Sequence, residues 1–83
     1  MLKDIIEAKV VSNYILFIRF EDGVEGVIDV SKIIPFEGIF EKFKDLRYFA
    51  TVKVSKELGT VIWDNGADLS PDYLYSVLVS QKQ

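Results

Sequence analysis

The densest group of side chains able to do chemistry is Asp64, Asn65, Asp68, Ser70 and Asp72, gathered around Gly66. Carboxylates this close in sequence can share a divalent cation, and one of them can serve as a general base. Asp64-Asn-Gly-Ala-Asp68 has part of the look of a calcium loop. The later bidentate glutamate and the full alternation of acidic ligands are missing, so that reading fails. The simpler chemistry is local. Asn65-Gly66 makes a turn with positive φ, and Asp68 and Ser70 hydrogen-bond to nearby backbone where a helix begins. A second acidic group, Asp22, Glu25 and Asp29, lies on a turn and a short strand with no surrounding chain to build a pocket.

Composition removes most alternatives. The 83 residues contain no Cys and no His. Disulfides, thiolate and imidazole metal sites, and Ser-His or Cys-His nucleophile pairs are therefore excluded. Carboxylate-only chemistry such as Mg²⁺ binding is what remains, and nothing converges on it, so no cofactor or metal is expected. The expectation is a protein that catalyses nothing. Net charge is −3, which argues against general nucleic-acid binding. Lys42, Lys44, Arg47, Lys53 and Lys56 face only Asp45 between residues 42 and 56, however. That basic middle is the segment through which a nucleic acid would bind, if any did, and its plainer reading is a set of solvated faces.

These groups have to be positioned by one small domain, residues 1–83. A chain this short buries only about 60–65% of its unfolded surface, so its stability margin is thin. Hydrophobic residues make up 49% of it, with six Phe, four Tyr and one Trp. Such richness implies an unusually apolar core or apolar surface covered by another chain. Met1-Leu-Lys-Asp carries charges where a secretion signal needs an apolar run, and no stretch approaches a membrane span. A cytoplasmic location is the expectation.

Glu7 to Val11 reads as a strand, and Tyr14 to Phe20 is the strongest strand signal in the chain. Tyr14, Leu16, Ile18 and Phe20 fall on one face of it, with Ile15, Phe17 and Arg19 on the other. A strand with two largely apolar faces is central or is covered on its second side by a helix or another subunit. Asp22-Gly23 turns the chain into a returning strand, Val24 to Val30, in which Gly26 marks a bulge or a close backbone approach. Ser31 to Phe49 loses alternation and is punctuated by Pro35 and Gly38, so its helices are short. Ile39, Phe40 and Phe43 share one helical face there, and Asp45 caps a second turn carrying Leu46 and Phe49. Thr51 to Ser55 and Thr60 to Trp63 form a second hairpin around Lys56–Gly59. Ser70-Pro71-Asp72 starts a helix running to Val79, with Leu74, Val77 and Leu78 buried and Tyr73 or Tyr75 at its edge. The class is α+β: an antiparallel βββ meander, short helices, a β-hairpin and a C-terminal helix.

Two places could meet a partner. One is the second face of Tyr14–Phe20, through Phe17 and Arg19. The other surrounds the polar loop, through Trp63, Asn65, Asp68 and Tyr73, because Trp and Tyr are enriched at interfaces. Trp63 also reads as a core residue whose indole N–H finds a backbone carbonyl.

Several of these segments together resemble a known family. They are Phe20-Glu-Asp-Gly-Val-Glu-Gly-Val-Ile-Asp-Val30, Gly38-Ile-Phe40, Leu46-Arg-Tyr-Phe49, and Gly59-Thr-Val-Ile-Trp-Asp-Asn-Gly-Ala-Asp-Leu69 with Pro71 and Leu74-Tyr75. In that order they look like the bacterial domain of unknown function 2442 family, from Lys3 to about Leu78. That family commonly has Pro after the Trp, where this chain has Asp64. The resemblance implies a compact α+β fold and a bacterial module. Some relatives carry a helix-turn-helix after the domain, and others are encoded beside a small toxin-like protein as its antitoxin. With Gln83 the last residue, what carries over is partner binding rather than operator binding. The implied partners are a small toxin-like protein and a second copy of the chain.

Overall fold

The computed structural model describes residues 3–82. Three antiparallel strands, β1 (Ile5–Ser12), β2 (Ile15–Phe20) and β3 (Glu25–Asp29), lie in the order β1-β2-β3. A 3₁₀ turn (Val30–Lys32), a longer 3₁₀ segment (Gly38–Lys44) and the single-turn helix α1 (Leu46–Phe49) follow. A second hairpin, β4 (Lys53–Ser55) and β5 (Thr60–Ile62), leads to the C-terminal helix α2 (Pro71–Gln81). This is the α+β arrangement expected: meander, short helices, hairpin, helix.

The alternation in β2 decides which way the sheet faces. Leu16, Ile18 and Phe20 are completely buried, whereas Ile15, Phe17 and Arg19 on the opposite side are only partly so. The buried side packs on Phe43, Phe49, Trp63, Leu74 and Leu78, so the short helices, the second hairpin and α2 all lie on one face of the meander. β2 is the central strand of the sheet, as its two apolar faces suggest, and among the described residues no helix covers Ile15, Phe17 and Arg19 on its second side.

The turn between β2 and β3 is held by its own groups. Phe20 N–H donates to Val24 O, Gly23 N–H to Phe20 O, and the Asp22 carboxylate accepts from Val24 N–H at 3.1 Å. Gly26 is a close approach and not a bulge. Its pairing with Ile18 is regular, and a Cβ there would stand 2.9 Å from the Leu78 Cδ2 of α2. The missing side chain lets α2 lie down on β3. The helix is then fastened at its middle and at its C-terminal end: Tyr75 Oη donates to Asp22 at 2.6 Å and Gln81 Nε2 donates to Val27 O at 3.0 Å. That last bond carries the helix to Gln81, beyond the expected Val79.

Other differences have local causes. Asp29 ends β3 because its carboxylate caps the next turn, accepting from Ser31 N–H. Thr51 and Val52 stay out of β4, because their N–H groups donate back to Tyr48 O and Phe49 O and prolong the turn of α1. Trp63 leaves β5 for the same kind of reason, its N–H donating to Ala67 O. Ile39 is 48% exposed while Phe43 is buried. At three residues per turn a 3₁₀ helix aligns Phe40 with Phe43 and turns Ile39 outward, which a 3.6-residue period would not. Leu46 is also exposed, and only Phe49 of α1 reaches the core. Leu74 and Leu78 are buried as expected, Val77 and Tyr75 half-buried, and Tyr73 exposed.

Gly59 joins the two sheets. It has φ +70°, its carbonyl accepts from Ile5 N–H at 2.9 Å, and a Cβ would collide with the Asp4 carboxylate. Gly59→Ala should cost about 1 kcal/mol in urea unfolding, from the left-handed backbone, because the exposed Asp4 carboxylate can swing aside. An Asp4→Ala background should leave that cost unchanged.

The Asp22 carboxyl lies below its ordinary value of 3.8, chiefly through the bond from Tyr75 and then that from Val24 N–H. A depressed carboxylate stabilises the fold above its unfolded pKa and loses that contribution as pH falls through the folded one. Acid unfolding should therefore steepen below about pH 4. Asp22→Asn should flatten that limb while leaving the neutral-pH limb parallel to wild type.

Candidate functional site

The polar loop is built around Trp63. Its indole is 2% exposed and stacks at a tilt on Phe43, with ring centroids 4.3 Å apart, and on Phe49 at 5.6 Å. A buried indole N–H needs an acceptor. It finds Phe49 O, the last residue of α1, at 2.9 Å. The chain then turns sharply. Gly66 N–H donates to Trp63 O, Trp63 N–H to Ala67 O, and Ala67 N–H to Asn65 Oδ1 at 3.0 Å.

The polar side chains of the loop reach back over the short helices. Asn65 Nδ2 donates to Ile39 O at 3.1 Å, in the 3₁₀ segment. Tyr48 Oη of α1 donates to Asp64 Oδ1 at 2.7 Å and accepts from Asn65 N–H at 3.2 Å. Partial burial and then the bond to Asp64 raise the Tyr48 hydroxyl above its ordinary value of 10.0, so it remains a donor near neutral pH. Lys42 Nζ lies 5.0 Å from the centre of the Tyr48 ring. Thr60, itself buried, donates to Leu69 O at 2.5 Å and closes the far side of the loop. Together these contacts make a clasp that locks residues 39–49 onto the second hairpin.

The two candidate surfaces fare differently. Trp63 was a candidate contact, but burial leaves it nothing to present, and its core reading is the one realised. Asn65 is exposed, yet its donor and acceptor are both spent inside the clasp. Asp68 was expected to hydrogen-bond locally. Among the described residues its side chain has no such bond, and only its backbone pairs, with Ile62. Ser70 caps α2 as expected, its Oγ accepting from Tyr73 N–H at 3.2 Å. Tyr73 is exposed and its hydroxyl donates to Ile33 O. Among the described residues, no three acidic groups come together as a metal-holding set.

Phe17 and Arg19 do share a surface. The register sets Arg19 between Glu7 of β1 and Glu25 of β3, and Phe17 between Lys9 and Val27. Arg19 Nη1 meets Glu7 at 2.7 Å and Arg19 Nε meets Glu25 at 2.8 Å. The hydrogen bond to Glu25, then the charge of Glu7, raise the guanidinium pKa further. Lys9 and Arg19 each sit 5.8 Å from the centre of the Phe17 ring. Val27 is 47% exposed beside it, so an apolar strip of Ile15, Phe17 and Val27 runs along the open face with the charged trio at one end. Strand alternation made Phe17 and Arg19 legible in the sequence. Glu7, Glu25 and Val27 were missed, because which residues lie opposite them depends on register.

An open antiparallel sheet backed by helices, with a clasped aromatic loop, defines a small α+β module. The chain belongs to the family of proteins of unknown function designated DUF2442, whose model matches residues 5–78. No curated protein and no solved structure gives a significant match. The matched span includes every residue of the clasp. Asp64, standing where relatives were expected to have Pro, uses its carboxylate to hold Tyr48.

Asn65→Ala removes two of the bonds that close the clasp and should cost about 1–2 kcal/mol in thermal or urea unfolding. Asp68→Ala removes none and should stay within about 0.5 kcal/mol of wild type. Equal losses would contradict the assignment.

Proposed function

We propose that this domain is a non-enzymatic protein-interaction module that presents the open face of its meander to a protein partner. The single observation carrying this reading is the Ile15–Phe17–Val27 strip, left uncovered beside an arginine whose two carboxylates already neutralise it. A neutralised charge cluster is cheap to bury compared with a lone ion, and an aromatic flanked by aliphatics is the kind of anchor interfaces use. The finer reading, suggested by the family resemblance, is the antitoxin-like member of a bacterial toxin–antitoxin pair acting in the cytoplasm. The partner would then be a small toxin-like protein.

Nucleic-acid binding through residues 42–56 is the weaker reading. Lys42 and Lys44 line a shallow groove beside Tyr48, but Glu41 and Asp45 line it too. Alternating signs give a phosphate backbone no continuous track.

Tagged protein recovered from its native host should bring down one protein partner in stoichiometric amount. Phe17→Ser should abolish capture while shifting stability by less than about 1.5 kcal/mol, because the ring is not in the core. Recovery of the tagged chain alone, under conditions that keep it folded, would remove the proposal.

A further inference from the structure

The meander has two edges, each bonded to the rest of the fold at one backbone group among the described residues. Along β3, α2 lies against the strand and Gln81 caps Val27 O. Along β1 the edge is bonded at Ile5, where the N–H donates to Gly59 O. Beyond that point no backbone bond from another element reaches it among the described residues. The direction of its free groups follows from the register. Phe20 N–H bonds Val24 O and Val30 N–H bonds Tyr14 O, so the even residues of β2 point their backbone groups at β3. Its odd residues point at β1, where Arg19 and Phe17 lie opposite Glu7 and Lys9. Ala8 and Val10 alternate with these and turn their N–H and C=O groups outward. Such an edge is a template for another strand.

We infer that β1 pairs antiparallel with β1 of a second copy of this chain, about a two-fold axis at Ala8. The sequence of the strand is self-complementary in that register. Glu7 falls opposite Lys9 of the second copy, Lys9 opposite its Glu7, Ile6 opposite its Val10, and Ala8 opposite its Ala8. Opposed charges across an antiparallel pair stabilise it, and a two-fold interface requires just such self-complementarity. Lys9 has no carboxylate within ion-pair distance among the described residues, whereas Arg19 engages one Glu7 oxygen and leaves the other. Beyond these pairs, Val11, 57% exposed, comes to the other copy's recess of about 270 Å³, which Asp4, Ile5, Ile6, Val54, Lys56 and Gly59 line. Register shifts flank Glu7–Val10 on both sides, so the pairing stops after a few residues and does not run on into a fibre. This self-association uses the edge of the sheet and leaves its open face free, so it stands apart from the partner proposed above.

The test needs no partner: purified chain is diluted through the micromolar range and its mass followed by light scattering. Wild type should pass from dimer to monomer. Lys9→Glu sets Glu against Glu twice in the pair, and Glu7→Lys sets Lys against Lys twice. Each variant alone should dissociate at a concentration at least about tenfold higher. Mixing the two should restore a heterodimer, because the all-acidic strand then faces the all-basic one. That rescue also shows that both variants are folded. A monomer at all concentrations in wild type overturns the inference, and so does a dimer that neither substitution weakens or that mixing fails to restore.

Discussion

The indole of Trp63 must be buried for its area and bonded for its N–H, and a single carbonyl, Phe49 O, meets the second need. Much else follows from that pairing. Phe49 can offer its carbonyl only if α1 ends there, and α1 ends there because Thr51 and Val52 fold back onto its last turn. Phe43 must then come from the 3₁₀ segment to cover the ring, which brings Ile39 O within reach of Asn65. The polar loop is the surface consequence of a buried constraint. The Asp64 carboxylate and the Asn65 amide are arranged toward the protein.

The meander answers a different problem. Its inner face meets the aromatic cluster and α2 through three completely buried side chains of β2, with Ile5 and Ile28 buried beside them. Among the described residues no helix covers its outer face, and the strip at Ile15, Phe17 and Val27 is flanked by Lys9 and by an arginine held between two glutamates. The side chains that hold the fold together and those left at the surface thereby lie on opposite sides of the same strands.

The period of two in Tyr14–Phe20 predicted which residues of β2 are buried, and the Ser70-Pro71 pair predicted where α2 begins. Both are local signals with one dominant cause. Elsewhere two causes compete. The Ile39-Phe40-Phe43 spacing puts all three on one face of an α-helix, whereas the 3₁₀ segment aligns only Phe40 with Phe43 and leaves Ile39 at the surface. Asn65-Gly66 reads correctly as a turn, but Tyr48 and Ile39, which Asp64 and Asn65 bind, lie 16 and 26 positions away in sequence. Nothing short-range announces such partners. Glu7 and Glu25 were hidden in the same way, since opposition across strands exists only once the register is known.

The central claim is that the loop from Trp63 to Ala67 is part of the core's cooperative unit, although Asp64, Asn65 and Gly66 are exposed to solvent. Native-state hydrogen exchange on the amides of Trp63, Asn65, Gly66 and Ala67 tests it most directly. Each of these amides donates to an identified acceptor. The account predicts that they exchange with the same free energy as Leu16 and Ile18, by global unfolding. Exchange through a local opening several kcal/mol below that of β2 would contradict it, and would make the loop an independent, mobile element.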